Sequence, residues 1–213
     1  LPSGLEQGLA GVERTGLLSN LWAEAQAGTS PMTRFLDGLA RLKGDRSRPM
    51  TEKTAAALVE LQDGFLAAPD ADRFARFAAA LLGPRWKDWG FGKLADDEAN
   101  IARASALAAL GRASVDPAFA AELDRRARAA AVDPSSVEPT LVGPLLGVAA
   151  RRGGRDLYEL YRAQVAHAAT PEQRDQLVRA LAAFRDPALA RTTADYTMTE
   201  AVRPQDFWKP WVV

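Results

Sequence analysis

The chain has 213 residues, with 27 basic and 27 acidic side chains, no formal net charge, one histidine and no cysteine. That balance gives no electrostatic reason to expect nucleic acid or an anionic membrane as a partner, and the lack of cysteine excludes disulfides and thiolate chemistry. Apolar residues make up 47% of the chain, enough at this length to bury a sizeable core, and no apolar run approaches the roughly 20 residues of a membrane span.

Taken in order, the chain reads as helix after helix. The first is expected over Glu13 to Ala27, with Leu17, Leu18, Leu21 and Trp22 inward and Gly28 ending it. Ser30 is placed to cap a second that starts at Pro31 and carries Phe35, Leu36, Leu39 and Leu42. Gly44 to Pro49 reads as a solvated loop. Thr51 is then the expected cap of a third helix, whose inward residues are Ala55, Leu58, Val59, Leu61, Phe65 and Leu66. Asp70 or Asp72 begins a fourth, striped by Phe74, Phe77, Leu81 and Leu82, and Gly83 with Pro84 should turn the chain.

Trp86, Trp89 and Phe91 lie among Gly90, Gly92 and charged residues, a pattern of satellite core beneath a loop rather than of a ligand platform. Helices resume over Asp97 to Gly111, Pro117 to Val132, Pro139 to Arg152 and Arg155 to His167, with Pro144 bending the third of these. Thr170, Pro171 and Gln173 form a cap, a first-turn proline and a capping-box partner. The helix they open places Leu177, Val178, Leu181 and Phe184 on one face and stops near Arg185. Asp186 and Pro187 repeat the device for a helix reaching about Met198, and Val202 to Asp206 reads as a further start.

No strand alternation survives this pass, so the expected class is all-α. Short turns marked Ser30-Pro31, Asp116-Pro117, Thr170-Pro171 and Asp186-Pro187 suggest stacked helical pairs in one domain spanning residues 1–213. The architecture expected is a HEAT-like or armadillo-like helical-repeat superhelix. Its apolar end, Phe207, Trp208, Trp211, Val212 and Val213, is what an array cut short at its C-terminal side would show. Leu1 in place of Met leads to the expectation of a processed, tagged or excised chain, soluble and with the cytoplasm slightly favoured.

Three strings carry a family resemblance. V-E-R-T-G-L-L-S-N-L-W-A-E-A-Q-A-G (Val12 to Gly28), P-T-L-V-G-P-L-L-G-V-A-A-R-R-G-G (Pro139 to Gly154) and R-A-L-A-A-F-R-D-P-A-L-A-R-T (Arg179 to Thr192), the last followed by V-R-P-Q-D (Val202 to Asp206), occur in this order. Together they resemble the C-terminal helical-repeat domain of the aminopeptidase N family of zinc metallopeptidases, in its endoplasmic-reticulum aminopeptidase-like branch. Asn20 stands where the family usually has an acidic residue, and Pro144 interrupts a helix often unbroken. The resemblance implies roughly the first two-thirds of that domain.

The family's own chemistry is not written in this chain. Its zinc is held by an H-E-x-x-H helix and a later Glu, and its substrate amine by G-x-M-E-N; here the single histidine, His167, sits at a helix end between Ala166 and Ala168. Asp96, Asp97, Glu98 and Asn100 superficially resemble the aspartate-rich magnesium motif of isoprenoid synthases. Consecutive acids at a helix start are better read as complementing the helix dipole. No catalytic, metal-binding or cofactor-binding residue is therefore assigned in this chain.

The resemblance implies a zinc-binding catalytic domain in the same polypeptide as partner, a peptide as substrate, and a domain that encloses the active-site chamber and helps select peptides for removal of their N-terminal residue. Arg185 and Arg203 are the candidates for holding a peptide carboxylate, because a guanidinium fork can bind both oxygens. The bland roles for the same residues are capping of helix carbonyls by Arg185 and an ion pair of Arg203 with Asp206. The alternative for the whole chain is a free-standing helical-repeat module that binds another protein.

Overall fold

A computed structural model describes residues 8–199, so Arg203, the helix start expected at Val202 and the apolar C-terminal residues lie outside the described part. Ten α-helices and no strand occur among the described residues: α1 (Gly11–Gln26), α2 (Met32–Arg41), α3 (Arg48–Gly64), α4 (Ala71–Trp89), α5 (Asp97–Ala113), α6 (Pro117–Val132), α7 (Pro139–Arg152), α8 (Arg155–His167), α9 (Pro171–Ala182) and α10 (Pro187–Thr197). The all-α class with helical-repeat packing holds. The chain divides into two compact units, one containing α1 to α5 and the other α6 to α10 with the short stretch Phe91–Lys93.

In the first unit α5 packs against both α3 and α4, and α1 against α2 and α3. Small side chains make this close approach possible: Ala102, Ala106 and Ala109 of α5 are buried alongside Leu107, as are Ala55 and Ala57 of α3 beside Leu58. Of the four inward residues expected in α1, Leu18 and Leu21 are buried, whereas Leu17 and Trp22 are half-buried. The Trp22 ring lies 4.8 Å from Phe35 and 6.3 Å from Phe65.

Several expected boundaries in this unit shift. Pro31 is itself the N-cap of α2, and no Ser30 side-chain bond caps it. The third helix opens at Arg48, a turn earlier than a Thr51 cap would allow, because Pro49 fits its first turn; Thr51 is instead fully buried inside it. Phe65 closes α3 at 63% exposure rather than joining its inward stripe. The chain does not turn at Gly83-Pro84. Instead α4 continues to Trp89, because Ala78, Leu81, Leu82 and Arg85 keep one buried face. The N–H that Pro84 lacks would have met the carbonyl of Ala80, and both residues are exposed to water. α4 ends at Gly90, whose φ of 54° favours glycine.

In the second unit α6 packs on α7 and α8, and α9 on α7, α8 and α10. Its helix starts follow the local sequence closely. Asp116 accepts from the Ala118 N–H, Glu138 from that of Thr140, and Asp186 from that of Ala188, each just ahead of a first-turn proline. Thr170 accepts from the Gln173 N–H at 3.1 Å, and Gln173 reaches back to Ala169 N at 2.9 Å, one residue before the usual reciprocal partner. Leu177, Val178, Leu181 and Phe184 are all buried, although α9 stops at Ala182 rather than Arg185. The Phe184 ring stands 5.3 Å from Tyr158 and 5.9 Å from Tyr161. The buried Thr193 hydroxyl lies 3.2 Å from the Tyr158 hydroxyl, 3.1 Å from the Leu181 carbonyl and 3.0 Å from that of Leu189. Burial pushes the Tyr161 phenol up, as does the charge of Asp124, against a smaller opposing effect of Arg128.

Candidate functional site

Arg185 lies in the connection between α9 and α10, and its side chain is exposed. Its neighbours are committed to structure: Phe184 is 3% exposed in the core, Asp186 caps α10 and Pro187 opens it. The F-R-D-P string therefore fixes the backbone on both sides of one guanidinium while leaving that group at the surface. Arg203 lies outside the described residues.

The other sequence features prove structural. His167 is exposed at the last position of α8, with Nδ1 2.9 Å from the Ala163 carbonyl, a helix C-terminal placement. Asp96 accepts from the Glu98 N–H at 3.0 Å, as a cap does, and Glu98 pairs with Arg48 at 3.2 Å. Asn100 is buried and closes a local ring with Leu94, accepting its N–H at 3.3 Å and donating to its carbonyl at 3.0 Å. Asp96 and Glu98 are thus engaged in capping and an ion pair, and Asn100 in a loop clasp. Among the described residues, no group of three or more His, Cys, Asp or Glu side chains could hold a metal ion.

Two features were not foreseen from sequence. The first is Arg85, which is 2% exposed and donates to the carbonyls of Leu81 at 2.6 Å, Lys43 at 3.0 Å and Asp45. The loop after α2 is solvated, as expected, but is held at the Lys43 and Asp45 carbonyls. Arg14 adds a 2.7 Å pair to Asp45, and Arg46 pairs with Asp88 at 2.7 Å while lying 5.9 Å above the Trp89 ring. Burial lowers the pKa of the Arg85 guanidinium and the like charge of Arg46 adds to this, against a smaller effect of Asp45. Burial also pushes the Asp45 carboxyl up, but hydrogen bonds from Ser47 and the charges of Arg14 and Arg85 outweigh it and leave the pKa below the ordinary value. The signal was a charged residue at i+4 from Leu81 on an apolar face, legible only once α4 is allowed to pass Pro84.

The second is an open apolar groove of about 470 Å³ in the first unit, floored by Leu36, Leu61, Phe65, Phe74 and Phe77 with Asp70 and Arg73 also lining it. It lies among the first turns of α2 and α4 and the end of α3. Phe65 and Leu66, which periodicity places on the inward stripe of α3, line this surface concavity instead. In the second unit the charged groups instead form a network on α6. Glu122 holds Arg125 at 2.8 Å and Arg126 at 2.6 Å, and Arg128 bridges Asp124 and Asp156 at 2.7 Å each. The Arg126 guanidinium also sits 3.9 Å from the centre of the Phe91 ring, so Phe91 anchors structure, as the satellite-core reading expected.

Against known proteins, the model of the family described as ERAP1-like C-terminal domain matches residues 3–212. No curated protein matches the chain.

Proposed function

Because this chain belongs to the ERAP1-like C-terminal domain family, we propose that it is the non-catalytic C-terminal domain of a zinc aminopeptidase, that it closes over the active-site chamber, and that it helps select the peptides whose N-terminal residue is removed. The observation that carries this reading is the family match over nearly the whole chain. The two compact units are then parts of one C-terminal domain, residues 1–213. Its partners are the catalytic zinc domain of the same polypeptide and a peptide substrate.

Peptide selection needs a group that can recognise the end of a peptide remote from the reacting bond. Arg185 offers an exposed guanidinium on a backbone pinned by Phe184 and Asp186, and such a fork can take both oxygens of a carboxylate. Arg203 is proposed for the same task from the matching V-R-P-Q-D string. In the intact enzyme, Arg185→Ala and Arg203→Ala should each raise KM for free-acid peptides by about tenfold and leave peptide amides unaffected, the size of one charged hydrogen bond. Unchanged KM and unchanged length preference in both variants would remove the carboxylate role.

A further inference from the structure

We propose that the groove in the first unit binds a free α-amino acid with a large apolar side chain, holding its ammonium at Asp70, its carboxylate at Arg73 and its side chain among the phenylalanines. The groove of about 470 Å³ is within the range of small-molecule sites, and its lining pairs a mostly apolar floor with two groups of opposite charge. Those two groups do little for each other. They stand 3.7 Å apart, with side chains 54% and 80% exposed for Asp70 and Arg73 respectively, a separation too long for a hydrogen bond.

Apart from that exposed pair with Arg73, the Asp70 carboxylate does not cap its helix. Asp70 occupies the N-cap position of α4, where an aspartate ordinarily accepts an N–H from the first turn, yet it makes no side-chain cap bond. Its helical backbone angles, φ −93° and ψ 0°, and the 3-10 turn Ala68–Asp70 that runs into α4 account for this geometry. An acceptor and a forked donor thus sit one helical turn apart at the mouth of an apolar concavity. The ammonium and carboxylate of an α-amino acid share one carbon and meet that arrangement, with the side chain directed onto Phe65, Phe74 and Phe77.

A simple apolar docking face would not need charges of both signs. An anion site would not carry Asp70. Phe65, 63% exposed, supplies an aromatic surface that a bulky side chain would cover. The source of the ligand rests on the function proposed above, since an aminopeptidase releases free amino acids next to this domain. The binding itself does not depend on that reading.

The test uses the full 213-residue chain without any catalytic domain, so it can fail or succeed independently of the peptidase assignment. L-phenylalanine and L-leucine should produce saturable amide chemical-shift changes confined to residues 32–36 and 61–77. N-acetyl-L-phenylalanine, which lacks the ammonium, and L-phenylalaninamide, which lacks the carboxylate, should each bind at least about tenfold more weakly. Asp70→Asn should abolish the discrimination against the acetylated compound and Arg73→Gln that against the amide. Both sites are exposed, so both variants should keep the parent spectrum elsewhere. No saturable change with either amino acid would overturn the proposal. Binding of the acetylated and amide compounds as tightly as L-phenylalanine by the unsubstituted chain would also overturn it, reducing the groove to an apolar patch.

Discussion

A methyl group added at Gly153 would lie 2.6 Å from Leu157 Cδ2 and 3.1 Å from both the Ala149 carbonyl and Phe184 Cε1. The φ of −76° there suits any residue, so the demand is for space and not for backbone freedom. Gly153→Ala is therefore expected to destabilise by about 1–3 kcal/mol in urea denaturation, the usual cost of overpacking. Gly147, with nothing within 4 Å of its added Cβ, is the control, and Gly147→Ala inside α7 should stabilise by about 0.5–1 kcal/mol. Arg85 makes the opposite kind of demand, for a long side chain with several donors. Arg85→Met leaves the Lys43 and Asp45 carbonyls without their donor and should cost about 2 kcal/mol. Arg85→Lys should recover only part of this, because a single ammonium cannot reproduce the fork that reaches Leu81, Lys43 and Asp45.

Among the elements, α6 shows how an exposed helix face acquires pH dependence. The hydrogen bond from Arg125 outweighs the opposing effect of burial and, with smaller contributions from the Arg126 hydrogen bond and the two guanidinium charges, holds the Glu122 carboxyl at about 2 rather than 4.5. A depressed folded value means that the stabilising contribution is complete above pH 4.5 and lost as pH falls from there toward 2. Solvent screening of this half-exposed cluster keeps the effect modest. Glu122→Gln should make the acid limb of a stability-versus-pH curve shallower and leave stability near pH 7 only slightly reduced, which thermal melts across that range would show.

The elements also explain what could be read in advance. α6, α7 and α8 begin and end where the sequence places them; a capping oxygen with a first-turn proline opens α6 and α7, and the pair Gly153-Gly154 separates α7 from α8. Thr51 and Pro84 misled for a common reason: a residue that signals a boundary by propensity was overruled by a buried face that continues past it.

At the scale of the molecule, charge balance and the all-α class were legible because they follow from composition and periodicity, and the family was legible from strings whose spacing spans the chain. The groove was not, because it is made by side chains from three helices whose packing no local pattern encodes. Arg185 was found by resemblance and its exposure is a structural fact; the role proposed for it in selecting substrates is testable only in the intact enzyme. The measurement belongs at that scale too. A series of peptides of increasing length, compared as acids and amides, should lose its acid preference in Arg185→Ala while turnover at saturation stays unchanged.

The distribution of helix caps has a kinetic side. None of the N-cap side chains of α1 to α4 accepts a hydrogen bond, whereas those of α6, α7, α9 and α10 all do, each next to a proline already held at a helical φ. Nascent turns near Pro117, Pro139, Pro171 and Pro187 can therefore form before any tertiary contact, while in the earlier set α1 has only the Glu13 bond to the Ala10 N–H, α3 only the first-turn Pro49, and α2 and α4 neither, so these helices depend more on their neighbours. In an acid- or urea-expanded chain, residual helix detected by carbon chemical shifts should concentrate after Pro117 and be sparse before Trp89. During synthesis the later half of the chain would then emerge with its turns already begun, and the earlier half would stay an uncommitted coil until enough of it is present to collapse.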